Sequence, residues 1–201
     1  MAHGAFAKTV SIPSVEIAIT ILQDSSAFVQ ENRTIDFDGD FTFGYYELPK
    51  KGYSKIQNIS IEEGEQFYQY EKKATYNQNT FTITETEDTY RLNYYFSASD
   101  ESRTFTFRYE IIDVVSVNQD YGEFYWKLQG DGWNFDIKDF NAIIQWEDPI
   151  PMNSYHIWAH GPLWGDFNKI NETRSFLNPF LSVSSAFACA TVYLASSMAD
   201  M

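Results

Sequence analysis

The chain has 201 residues, 44% of them hydrophobic, 18% aromatic and 21% charged, with 14 Lys+Arg against 28 Asp+Glu for a formal net charge of −14. Enough apolar surface is present for a core, which excludes a disordered chain. The negative field repels phosphate backbones and anionic lipid heads, so nucleic acid is not an expected partner.

The opening stretch MAHGAFAKTV has an Ala-Phe-Ala of cleavage-site type but no charged leader and no apolar core of ~7 to 15 residues. Residues 1–8 are therefore expected to be a leader or a remnant of processing or cloning, and residues 9–201 one domain. In SVEIAITIL (14–22), Val15, Ile17, Ile19 and Ile21 alternate with Glu16, Ala18, Thr20 and Leu22, the period-2 pattern of a strand with one buried face. An Asp-Ser-Ser turn follows. Further strands are expected at 27–37, 41–48, 56–61, 66–70, 80–85, 89–97, 104–117, 121–129, 135–146, 155–160, 174–183 and 186–195. Turn signals separate them: DGD at 38–40, PKKG at 49–52, EEGE at 62–65, SDES at 99–102 and GDG at 130–132. In the 89–97 strand, Tyr90, Leu92, Tyr94 and Phe96 form an apolar face against Arg91, Asn93 and Tyr95. Many short strands, 17 Phe and 14 Tyr, and no helical stretch predict an all-β, two-sheet antiparallel β-sandwich. From Ser175 to Ala199 no charge appears, but Asn178, Pro179 and five serines break that run, so it is not expected to span a membrane.

No complete catalytic signature is present. Asp36, Asp38 and Asp40 in DFDGD, with Glu47 downstream, imitate a calcium loop until Phe41 stands where the loop needs glycine. A strand end with an Asp-Gly turn explains the same residues. His156 and His160 lack the intervening Glu of a zinc helix, and Gly161-Pro162 stops any helix. On a strand they share a face but lie ~13 Å apart at ~3.3 Å per residue. The single cysteine, Cys189, sits in AFACATVYL as a small hydrophobe and rules out an intrachain disulfide. No G-x-S-x-G nucleophile occurs. No catalytic, metal or cofactor residue is assigned. Trp126 and Trp146 read as core, whereas Trp133 and Trp164, beside glycines, are the better candidates for exposure. Trp133, Trp158, His160 and Trp164 are the candidate ligand contacts, because aromatic faces stack on flat or apolar ligand faces.

The order of FVQENRTIDFDGDFTFGYYELP, YSKIQNISI, RTFTFRYEIIDVVSVNQDYGEFYWKLQGDGW and HIWAHGPLWG resembles the N-terminal domain of predicted bacterial membrane proteins called domain-of-unknown-function family 2207. Glu31 and Phe37 fit its V-x-E...F pattern, Arg103, Thr104, Phe105 and Tyr109 its R-T-F-x-x-x-Y strand, and Tyr125, Trp126 and Trp133 its Y-W...W pattern. His160, Gly161, Pro162 and Gly165 fit its H-G-x-x-G element. The resemblance covers roughly residues 9 to 195 and departs from the pattern at the C-terminal end, where AFACATVYLASS stands. It implies an extracytoplasmic β-sandwich, a secreted leader before it, and transmembrane helices after it, with no known activity.

The expected function is thus non-enzymatic: an extracytoplasmic domain of a membrane-anchored protein that binds or senses a ligand or partner, a protein or a glycan. Membrane contact is expected only through segments outside this chain. A carbohydrate-active hydrolase with an acidic pair in an aromatic cleft is the alternative, and a structural or assembly domain a third reading. A groove with two carboxylates within ~5 to 10 Å would favour the hydrolase.

Overall fold

The computed structural model describes residues 8–118, 121–129, 137–160, 165–179 and 189–195. Among them it places sixteen strands and no helix. In chain order these are β1 (Thr9–Ile21), β2 (Ala27–Asp38), β3 (Asp40–Pro49), β4 (Lys55–Glu63), β5 (Gln66–Phe67), β6 (Gln69–Tyr70), β7 (Thr80–Glu85) and β8 (Thr89–Ser99). Then follow β9 (Ser102–Ile112), β10 (Val115–Val117), β11 (Tyr121–Lys127), β12 (Ile137–Trp146), β13 (Tyr155–His160), β14 (Gly165–Asn171), β15 (Arg174–Pro179) and β16 (Cys189–Ala195).

The all-β sandwich expected from the sequence forms, with a division the sequence did not show. One large sheet has the order β14-β15-β12-β1-β2-β9-β4-β5, and two four-stranded sheets, β3-β8-β7-β6 and β10-β11-β16-β13, accompany it. Pairing is antiparallel except at β1–β12 and β6–β7. Both small sheets pack on one face of the large one. Tyr46 on Phe107 (ring centroids 4.9 Å) and Tyr94 on Phe105 (5.0 Å) join the first to β9. Tyr109 on Trp126 (6.3 Å) and Trp146 on Tyr155 (4.6 Å) join the second to β9 and β12.

Alternation explains the face that is covered. Val15, Ile17, Ile19 and Ile21 are buried, as are Phe105, Phe107, Tyr109 and Ile111 on β9. Trp126 and Trp146 are core, as their strand positions predict. Leu92, Tyr94 and Phe96 are buried on the apolar face of β8. Tyr95, on its polar side, is buried too, because the Tyr76 ring stands edge-on against it at 5.3 Å.

β1 begins at Thr9 rather than at residue 14, and three further differences from the expectation have a local cause. The 104–117 run is two strands, since Asp113 takes φ 55 and breaks the extended backbone. The 66–70 run divides at Tyr68, where the chain leaves the large sheet for a small one: Tyr68 N donates to Ile61 O and Gln69 N to Asn79 O. Residues 165–171, too polar to read as a strand, form β14 on the outer edge of the large sheet by backbone pairing with β15. The turn glycine of DGD, Gly39, has φ +99, a conformation side chains disfavour.

Candidate functional site

Two features sit side by side under β3, and both are built on β2. Strand alternation puts Glu31 and Arg33 on the same face as Val29, Ile35 and Phe37, so two charges enter the interior. Each is 1% exposed. The Glu31 carboxylate accepts from Tyr46 Oη (2.7 Å) and Tyr109 Oη (2.5 Å) at one oxygen. Its other oxygen accepts from Arg33 Nε (2.9 Å) and Nη2 (2.6 Å). Arg33 Nη1 donates to Gln129 Oε1 at 3.2 Å, and the guanidinium lies 4.8 Å from the Tyr46 ring centre. Gln129 Nε2 has no hydrogen-bond partner among the described residues. Tyr46 comes from one small sheet, Gln129 from the exit of the other, and Tyr109 from the large sheet. The cluster therefore pins all three sheets at their junction.

Burial opposes the charge on Arg33, yet Glu31 beside it outweighs that cost and holds the guanidinium above its ordinary pKa. Burial, and then the Glu31 charge, push the Tyr46 and Tyr109 hydroxyls well above the usual tyrosine range, so both stay protonated donors. Both tyrosine hydroxyls and two of the arginine nitrogens serve the carboxylate, and the third arginine nitrogen serves Gln129. The cluster is a structural fastening and offers no nucleophile or free base.

Two residues further along β2 the surroundings open. A cleft of ≈ 580 Å³ has Val10, Ile12, Ile35 and Phe37 as its floor, Tyr94 and Phe96 behind, β3 along one side and Lys127 of β11 among its lining residues. Phe37 packs on Phe41 (5.1 Å) and Phe96 (5.2 Å), which joins the floor to rings of β3 and β8. A bulge in the β3–β8 register between Phe41 and Phe43 re-aims the strand. Phe41 pairs with buried Ala98, whereas Phe43 pairs with Tyr95 on the opposite face and is 58% exposed; Tyr45 is 49% exposed. At Gly44 an added Cβ would stand 2.5 Å from the Tyr94 ring, so glycine lets that ring lie against the β3 backbone. Arg91 stacks on Tyr45 at 4.0 Å and meets Glu47 at 3.7 Å. Lys8 Nζ donates to the Asp40 carbonyl and lies 5.6 Å from the Phe41 ring.

Of the sequence-based candidates, the two within the described residues, Trp158 and His160, lie on β13. Trp158 is on β13, 43% exposed, with the His156 ring 5.6 Å away. His160 ends the same strand, its backbone paired opposite Cys189. Trp133 and Trp164 lie outside the described residues. Asp38 accepts from Thr9 Oγ1 at 3.3 Å, and Asp36 belongs to β2. Among the described residues no group of three His, Cys, Asp or Glu could hold a metal ion. The sequence reading missed the cleft, whose only trace was the aromatic run FTFGYY (41–46).

No curated protein matches the sequence. Among solved structures, a candidate nutrient-binding protein from Legionella pneumophila superposes with TM-score 0.55 at 10% identity, over 90% of this chain and 66% of that one. A substrate-bound mutant of an M1 zinc metallopeptidase from Deinococcus radiodurans gives 0.51 at 9% over 90% and 42%, and native yeast LTA4 hydrolase 0.53 at 9% over 92% and 29%. At such identities these likenesses show a shared fold, and the chain spans two thirds or less of each. No helix among the described residues is long and apolar enough to cross a membrane. The model of the family described as predicted membrane protein (DUF2207), N-terminal domain, matches residues 11–179, and the chain belongs to that family.

Proposed function

We propose that the domain is a non-enzymatic binding or sensing module, carried outside the cytoplasm by a membrane-anchored protein, whose cleft along β3 takes an elongated, largely apolar ligand. One observation carries the reading: a cleft of ≈ 580 Å³ with an apolar floor and two half-exposed rings, Phe43 and Tyr45, at its side. That volume falls in the ~300–1,000 Å³ range of ligand sites, and such sites pair apolar walls with a few polar groups. Lys8, Asp40, Glu47 and Lys127 supply those groups.

The hydrolase alternative gains nothing from the same cleft. Among the described lining residues its carboxylates are Asp40 and Glu47, seven residues apart on one strand. At ~3.3 Å per residue that is roughly 23 Å, beyond the ~5–9.5 Å at which an acidic pair can act on one glycosidic bond.

A titration with the neutral apolar dye Nile red tests the cleft. Its fluorescence should rise with the native chain, need at least tenfold more protein with the double variant F43S/Y45S, and be unchanged by W158A. The opposite pattern would move the site to the outer face of the β10-β11-β16-β13 sheet.

A further inference from the structure

We propose that the occupant of the cleft is an extended, basic or neutral polypeptide segment that pairs with the free edge of β3 and becomes an added strand of the β3-β8-β7-β6 sheet. This rests on reading the cleft as the binding site. The cleft is lined by every residue of β3 except Tyr46 and Leu48, whose side chains are buried beneath the strand. It therefore follows the strand for nine steps, roughly 30 Å at ~3.3 Å per residue, a shape that suits a linear occupant of seven to nine residues. β3 ends its sheet, with β8 its sole ladder partner among the described residues.

A free edge offers backbone N–H and C=O groups at every second residue. A hydrocarbon chain could fill the groove but would leave those groups without partners, and a sugar would meet them out of step. An extended peptide matches both the groove and the ladder, and this is how strand addition recognises its ligands. Sheet edges are usually blunted by lysine, inward charges or proline within the strand. Here the lysine contact at the Asp40 carbonyl and the bulge between Phe41 and Phe43 are confined to the start of the strand. Beyond them it displays Phe43 and Tyr45, keeps its register with β8 unbroken from Phe43 to Pro49, and has its proline, Pro49, at the very end. Those two rings would flank the side chains of the new strand as cross-strand neighbours. The sign of the partner follows from the chain as a whole, which carries −14, since the lining of the cleft balances Lys8 and Lys127 against Asp40 and Glu47.

The test uses a fluorescein-labelled nine-residue peptide of alternating valine and lysine, and two relatives N-methylated on alternate amides along one edge or the other. Anisotropy should show binding of the parent and of one methylated form, with the other at least tenfold weaker. The glutamate counterpart of the peptide, and the native peptide against E47K, should each bind several-fold more weakly. Amide hydrogen exchange within residues 43–49 should slow on binding. If Nile red binds in a Phe43- and Tyr45-dependent way while both methylated peptides bind like the parent, or exchange at 43–49 is unmoved, the cleft stands and strand pairing is overturned. If neither dye nor peptide binds there, both readings fall. Should sedimentation show a dimer whose formation itself protects 43–49, the edge belongs to a second copy and the proposal is wrong.

Discussion

Within eight residues, β2 passes from a charge cluster with nearly every polar bond made to a cleft whose rings stand half in water. Glu31 and Arg33 are 1% exposed and tie three sheets together, whereas Ile35 and Phe37 form the floor of an open groove beside Phe43 and Tyr45. The contrast separates two duties. A buried ion pair with two arginine N–H groups on one carboxylate oxygen and two tyrosine donors on the other contributes register and costs heavily when half of it is removed. Half-exposed rings contribute little to stability and leave apolar surface for something else to cover. The cluster and the cleft should therefore fail in different assays.

The largest effect is expected at the cluster. Replacing Glu31 by leucine leaves Arg33 buried without its counter-charge, and urea unfolding should show a loss of about 3–5 kcal/mol. The double variant E31L/R33M should recover part of it, because an apolar pair of similar volume removes the uncompensated charge but leaves the Tyr46 and Tyr109 hydroxyls without their acceptor. If E31L and the double variant are equally unstable, the cluster does not work as a charge pair.

Alkaline unfolding is next. Burial, with lesser charge contributions, raises the folded-state pKa of Tyr46, Tyr68, Tyr94 and Tyr109 above the ordinary value of 10.0. The unfolded chain releases those protons from about pH 10 while the folded one keeps them. Stability is thus fully present below pH 10 and falls as pH rises, by up to about 1.4 kcal/mol per pH unit for each such group. Urea midpoints between pH 8 and 11 that stay level would contradict this.

Between the two regions lies Gly44. Alanine there would press on the Tyr94 ring, and the strain of overpacking should cost about 1–3 kcal/mol and change dye affinity as well. The smallest effect is expected at the cleft side: F43S/Y45S should shift stability by no more than ~0.5 kcal/mol per site while abolishing most dye binding, because exposed side chains carry little folding energy. A large loss of stability in that variant would assign the rings to the fold.

The fold was legible because burial follows the period-2 pattern. Val15, Ile17, Ile19 and Ile21 announce one buried face, and the same arithmetic places Glu31 and Arg33 among the apolar residues of β2. What the eye passes over there is that two charges on the inward phase must pair. The family pattern held the other half of the answer, since its Glu31 and Tyr109 prove to be hydrogen-bonded to each other. Division of the covering layer into two sheets was not legible, because Tyr68 carries the chain between layers without any proline or glycine of its own to mark it. The cleft was illegible for a related reason. Its residues come from β1, β2, β3, β8 and β11, and only tertiary packing brings Lys8 and Phe43 to one groove. Tryptophans drew attention to Trp158, an exposed ring on the other small sheet, whereas FTFGYY, with its bulge and its glycine, shapes the side of the groove.

The most direct measurement is an amide chemical-shift map of the ¹⁵N-labelled chain during the Nile red titration. Shifts confined to residues 8–12, 35–49 and 94–96, with Tyr125 and Trp158 unmoved, are the predicted result; shifts centred on Tyr125, His156 and Trp158 would contradict the cleft beside β3 as the binding site.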